Sequence, residues 1–110
     1  MKTRNTITIA LAIATCAPMT AETADNNWGK MCAACHGKDG AGGTKAGKKL
    51  GVKDLTDAAN QKAFTDDQAF AAVKSGLTAP DGAVKMKPFA DKLSDDEVKA
   101  LVAYVRTLAK

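Results

Sequence analysis

The strongest periodicity lies near the C-terminus, where Val98, Leu101, Val102, Val105 and Leu108 recur at three- and four-residue intervals. That spacing places apolar side chains along one stripe of an α-helix. Ser94-Asp95-Asp96-Glu97 stands in front of the stripe and fits a capping box, in which the hydroxyl accepts from the third helical amide and the Glu side chain reaches back. Thr65-Asp66-Asp67-Gln68 has the same form ahead of Ala69, Phe70 and Val73, and Gly76 ends that helix. Trp28, Met31 and Cys32 predict one face of a short helix from Asp25 to about Ala34, stopped by Gly37. A weaker helical turn is expected between Asp57 and Lys62. From Gly37 to Lys53 the chain is crowded with Gly and Lys and lacks hydrophobic periodicity, so it reads as a long loop, and a loop of that length is usually functional or wrapped around something. Ser75 to Lys92 also reads as loop, broken by Pro80, Asp81-Gly82 and Pro88. With no strand pattern or internal repeat, the expected fold is small and all-α.

The N-terminal end has a different pattern. Lys2 and Arg4 precede an apolar or small-residue stretch from Ile7 to Ala17, and Pro18 opens a polar transition. Residues 1–24 are therefore expected to form a secretory signal peptide, cut between Ala21 and Ala24, with the domain occupying 25–110. The apolar run of about 11 residues is short of the roughly 20 that span a bilayer. No later segment qualifies, so the expectation is a soluble monomer in the periplasm or another extracytoplasmic compartment. Ile13-Ala14-Thr15-Cys16 resembles a lipoprotein cleavage box, which leaves lipid anchoring at Cys16 as the alternative. The formal net charge of +4 is mild. Arg106 is the sole arginine beyond the leader and the lysines are scattered, which argues against a nucleic-acid binder. A domain this short and poor in aromatics buries little apolar area and generally needs a disulfide, a metal or another staple.

Cys32-Ala33-Ala34-Cys35-His36 supplies one. The spacing C-x-x-C-H marks c-type haem attachment. Two thiols on one helical turn reach the two vinyl groups of one flat ring, and the adjacent imidazole approaches the iron from the same side. A structural zinc site needs four ligands, and the domain has no second Cys or His pair downstream. A thioredoxin-like pair belongs at a helix start after a strand, and no strand is readable. A plain Cys32–Cys35 disulfide would leave His36 unexplained. His36 is the only histidine, so a sixth iron ligand must be another residue, and methionine is the usual companion in electron carriers. Of four methionines, Met1 and Met19 fall in the leader and Met31 directly precedes Cys32. Met86 remains, in a loop between two capped helices.

The C-x-x-C-H-Gly37 string, the Gly-rich loop with Lys49-Leu50-Gly51, Met86-Lys87-Pro88-Phe89, Leu93-Ser94-Asp95-Asp96-Glu97 and Tyr104-Val105-Arg106 together resemble the class I monohaem cytochrome c family, in particular its short soluble bacterial and algal members. The resemblance spans nearly all of the domain. It implies helices wrapped around one covalently bound haem c, terminal helices that cross, and His36 and Met86 as axial ligands on opposite faces of the iron. It also implies that Trp28 packs on the C-terminal helix, with Tyr104 the natural partner. Phe89, Leu50, Leu55, Phe70 and Val73 are expected in the haem pocket or core. Many relatives carry a proline near the position of Gly47 or Lys48, whose neighbourhood supplies a carbonyl to the proximal imidazole; this chain has none there.

The expected function is single-electron transfer without substrate binding. Lys45, Lys48, Lys49, Lys85 and Lys87 would frame the exposed haem edge and steer docking to acidic redox partners. Rival readings are a haem-based gas or redox sensor in which Met86 gives way to a small ligand, and an electron-transfer subunit of a larger oxidoreductase. A haem peroxidase would need polar groups near an open iron position; no second histidine exists, and Arg106 is expected at the surface.

Overall fold

The computed structural model describes residues 23–110. The leader expected over 1–24 and the anchor alternative at Cys16 fall outside the described residues, apart from Thr23 and Ala24. Among the described residues no helix is long and apolar enough to cross a membrane.

The first helix runs without a break through three segments, α1 (Ala24–Asn27), a π-helical stretch (Trp28–Cys32) and α2 (Ala33–His36). Within it the Ala33 amide bonds the Trp28 carbonyl, five residues back. Such a widened turn rotates the downstream half of the helix relative to the upstream half, and π-turns recur at functional sites. It buries Trp28 and Cys32, leaves Met31 half-buried, and ends at Gly37, whose φ of 81° is unfavourable for other residues. α5 (Asp66–Ser75) and α6 (Asp95–Thr107) form behind complete capping boxes at Thr65 and Ser94, as expected. α4 (Ala58–Lys62) starts at Asp57, whose carboxylate accepts from the Ala59 and Asn60 amides.

Helix α6 packs against α1 and α5. Its stripe enters the core, where Val98, Leu101 and Val102 join Trp28, Cys32, Leu55 and Leu93. Phe64, Phe70, Val73, Phe89, Tyr104, Val105 and Leu108 pack around this centre while remaining partly exposed. Leu50, expected among them, is half-buried outside this cluster. Trp28 and Tyr104 meet with ring centroids 5.6 Å apart, joining the first helix to the last.

Two segments expected as loop carry structure. Within 37–53 lies α3 (Lys45–Leu50), packed on α2. It has no apolar stripe, since Gly47 is its one buried residue; its ends hold it, through the Thr44 hydroxyl at the start and a left-handed Gly51 (φ 70°) at the stop. Within 75–92, β1 (Leu77–Thr78) and β2 (Val84–Met86) pair antiparallel, Leu77 opposite Met86 and Thr78 opposite Val84. Strands this short show no alternation to read. The turn between them closes through Ala79 N–H to Ala83 O at 2.8 Å and Ala83 N–H to the Asp81 carboxylate at 3.0 Å. The hairpin is an appendage on a helical core, and the all-α class stands.

Arg106, expected at the surface, is half-buried and makes several contacts there. Its guanidinium donates to the Phe64 carbonyl at 2.8 Å, to Asp66 Oδ1 at 2.8 Å, and to Gln61 through both its carbonyl and its side-chain oxygen. It also lies 4.3 Å from the centroid of the Phe64 ring. Five donors on a planar fork match several oxygens at once and stack on an aromatic face. Gln61, itself buried, donates onward to the Leu55 and Val105 carbonyls at 2.6 and 2.8 Å. Together they bind α6 to the α4–α5 region.

Candidate functional site

The end of the first helix brings Cys32, Cys35 and His36 together on one stretch of backbone. Both thiols are free; Cys32 is buried and Cys35 half-buried. Burial pushes the Cys32 thiol up to about 11, with the neighbouring Cys35 adding to the effect. Among the described residues no three His, Cys, Asp or Glu side chains are arranged to hold a metal ion, so Cys32, Cys35 and His36 do not converge as zinc ligands would.

The His36 imidazole lies beside Trp28, with ring centroids 5.5 Å apart. Burial holds its pKa below the usual histidine range, which keeps the ring neutral, the form that ligates iron. Its Nδ1 is buried and has no hydrogen-bond partner among the described residues. No carbonyl among the described residues accepts from it, where relatives supply one. A buried ring nitrogen without a partner is costly.

Several contacts around the motif have no counterpart in the expectations from sequence. Thr44 Oγ1 donates to the Cys35 carbonyl at 2.8 Å while accepting from the Gly47 amide at 2.9 Å. The Gly42 amide donates to the His36 carbonyl at 2.7 Å. A Cβ at Gly47 would fall 2.2 Å from the Cys35 carbonyl oxygen, so only glycine allows α3 to seat there. Trp28 Nε1 donates to the Gly37 and Lys38 carbonyls at 3.1 and 3.2 Å, fixing the chain as it leaves the motif. The signal available in the sequence is the Thr44-x-x-Gly47 cap, obscured by the absence of any apolar stripe behind it.

Met86 comes from a different element, the last residue of β2, and is half-buried. Met31 packs against the core. Lys45, Lys48 and Lys49 on α3, and Lys85 and Lys87 about Met86, are all exposed. The residues present fit a flat apolar ring attached at the motif. Two free thiols on one turn and a half-buried imidazole whose Nδ1 has no partner among the described residues are the required donors, and Phe64, Phe70, Val73 and Phe89 offer partly uncovered apolar surface on the same core.

Comparison with known proteins bears on the same residues. The family model described as cytochrome C oxidase, cbb3-type, subunit III matches residues 20–105. A solved structure of the KustC0563 c-type cytochrome is 34% identical, with a TM-score of 0.70 over 81% of this chain and 100% of that one. A tyrosine-to-phenylalanine mutant of that protein gives 33% identity and a TM-score of 0.67, over 79% of this chain and 99% of that one. No curated protein matches significantly.

Proposed function

Since the chain belongs to the monohaem cytochrome c family of haem-based electron-transfer proteins, we propose that it is an exported carrier of single electrons, with one haem c attached to Cys32 and Cys35 and His36 and Met86 as axial ligands. The observation that carries this reading is the motif itself: two free thiols one helical turn apart, followed by a half-buried imidazole whose Nδ1 is buried and has no partner among the described residues. When bound, the haem supplies one-electron chemistry at its iron.

The chain's own residues do the rest. Cys32 and Cys35 fasten the ring to the first helix. Trp28 backs the His36 imidazole, and Thr44 and Gly42 hold the Cys35 and His36 carbonyls, so the proximal side has little freedom to move on a change of iron charge. Small rearrangement between redox states is what a fast carrier requires. Met86 raises the potential relative to a second histidine. The exposed lysines of α3 and of the Met86 segment would attract an acidic partner.

A second reading, an electron-transfer subunit of a larger oxidoreductase, is favoured by the family model's being that of an oxidase subunit. Co-purification with a membrane oxidase from the native source would establish it, whereas a freely eluting small protein favours the diffusing carrier.

Absorption spectra of the oxidised and reduced exported protein test the proposal. A ferric methionine-to-iron charge-transfer band that disappears in Met86→Ala is the expected result. Covalent haem that lacks the band and binds carbon monoxide readily would instead identify a ligand-binding sensor.

A further inference from the structure

Helix α5 ends at a point where its unpaired carbonyls meet the Met86 segment. The Phe89 amide donates to the Val73 carbonyl at 2.9 Å and the Ala90 amide to the Lys74 carbonyl at 3.2 Å. Helix C-termini leave such carbonyls unpaired and usually satisfy them locally. Here residues three and four positions beyond Met86 satisfy them, so the segment is tied to the helix end.

Between the two runs sits Gly76, the residue that stops α5. Its φ of 74° and ψ of −178° lie in a region essentially closed to every residue but glycine. A Cβ there would also stand 2.5 Å from the Met86 carbonyl oxygen, 2.9 Å from Pro88 N and 3.1 Å from the Lys87 carbonyl carbon. All three are backbone atoms, which cannot swing aside as a side-chain tip can. The backbone of Met86 is thus held by its pairing opposite Leu77 on one side and pressed against Gly76 on another.

We propose that Gly76 is a positioning residue for Met86: the bare α-carbon sets how closely the Met86–Pro88 backbone approaches the end of α5, and so where the thioether can reach. The proposal rests on the reading of Met86 as an axial ligand. Adding a methyl group must push this backbone away from α5 or break the Phe89 and Ala90 bonds, and either movement shifts the sulfur. Gly82 provides the matching control, since it too has a positive φ (87°) and lies in the hairpin turn, yet a Cβ there meets nothing within 4 Å.

The experiment compares haem-loaded wild type, Gly76→Ala, Gly82→Ala and Met86→Ala by the ferric charge-transfer band, carbon monoxide binding in the ferrous state and helical circular dichroism. The expected result is that Gly76→Ala loses the band and gains carbon monoxide binding, with its attached haem and helix content intact, while Gly82→Ala keeps the band. Retention of the band in Gly76→Ala overturns the proposal, and so does equal loss in Gly82→Ala, which would trace the effect to hairpin strain. A wild type without the band, or a Met86→Ala protein that retains it, refutes the ligand assignment itself and the proposal with it. Should Gly76→Ala yield no folded protein, Ala90→Pro decides, because it removes the amide donor to Lys74 at an exposed turn position, with helical circular dichroism checking that the fold around Phe89 survives. Bleaching of its band at a lower temperature than in wild type, before the helices unfold, supports the proposal; wild-type persistence overturns it.

Discussion

The guanidinium of Arg106 joins Gln61, Phe64 and Asp66 to the last helix, and each of these contacts uses a different edge of a rigid planar group. A lysine can carry the charge but cannot bond several oxygens in fixed directions or stack in the same way. Arg106→Lys is therefore expected to lose about 2 kcal/mol of stability, the scale of losing charge-assisted hydrogen bonds. Denaturant unfolding measures it, and a loss near zero would show that the contacts are dispensable. At the scale of single residues the sequence is informative where the chemistry is local. Cys32, Cys35 and His36 adjoin one another, so their proximity needs no knowledge of the fold. The Trp28–Tyr104 pairing comes from resemblance rather than from spacing. The contacts of Arg106 are not legible, because its partners lie about forty residues away in sequence and no local pattern announces a contact of that kind.

The helices differ in what holds them. α5 and α6 have complete capping boxes, and α6 also has an apolar face in the core, so both are legible in the sequence. α3 and the hairpin depend on the Thr44 cap, glycine conformations and short ladders, none of which leaves a hydrophobic period. Removing the cap hydroxyl in Ser94→Ala should cost about 1 kcal/mol, lowering the melting temperature by about 4–8 °C in a domain of this size. Glu97 adds a pH dependence. Its carboxylate accepts from the Ser94 amide and from Asn27 Nδ2, and these bonds hold its pKa below the usual glutamate value. The unfolded chain thus takes up this proton more readily than the folded one. The stabilisation is complete above the ordinary glutamate pKa and is lost as the pH falls through the lower, folded value. Asp25 and Asp54 are lowered as well, so melting in acid should be compared between wild type and Glu97→Gln. The variant should lose less stability between about pH 5 and pH 3; identical slopes would remove Glu97 from the account.

For the molecule as a whole, the arrangement is a small core that leaves partly exposed aromatic surface beside an attachment motif, with lysines on the segments nearest the two proposed ligands. Lys85→Gln with Lys87→Gln should slow electron transfer to an acidic redox protein several-fold at low salt and have little effect near 1 M salt, where the screening length is about 3 Å. No difference at any salt concentration would eliminate steering by this pair. The class of fold can be read from helix periods and caps. How the Met86 segment is tied to α5 cannot, because it depends on backbone contacts between segments that carry no side-chain signature.

The central claim, covalent haem on this motif, is tested most directly by the intact mass and peptide map of the exported protein after an acid-acetone wash. The account predicts one haem retained on the peptide containing Cys32 and Cys35, and none when both are changed to alanine. An exported, folded protein that has no haem after the wash, although the host supplies the attachment machinery, would contradict it.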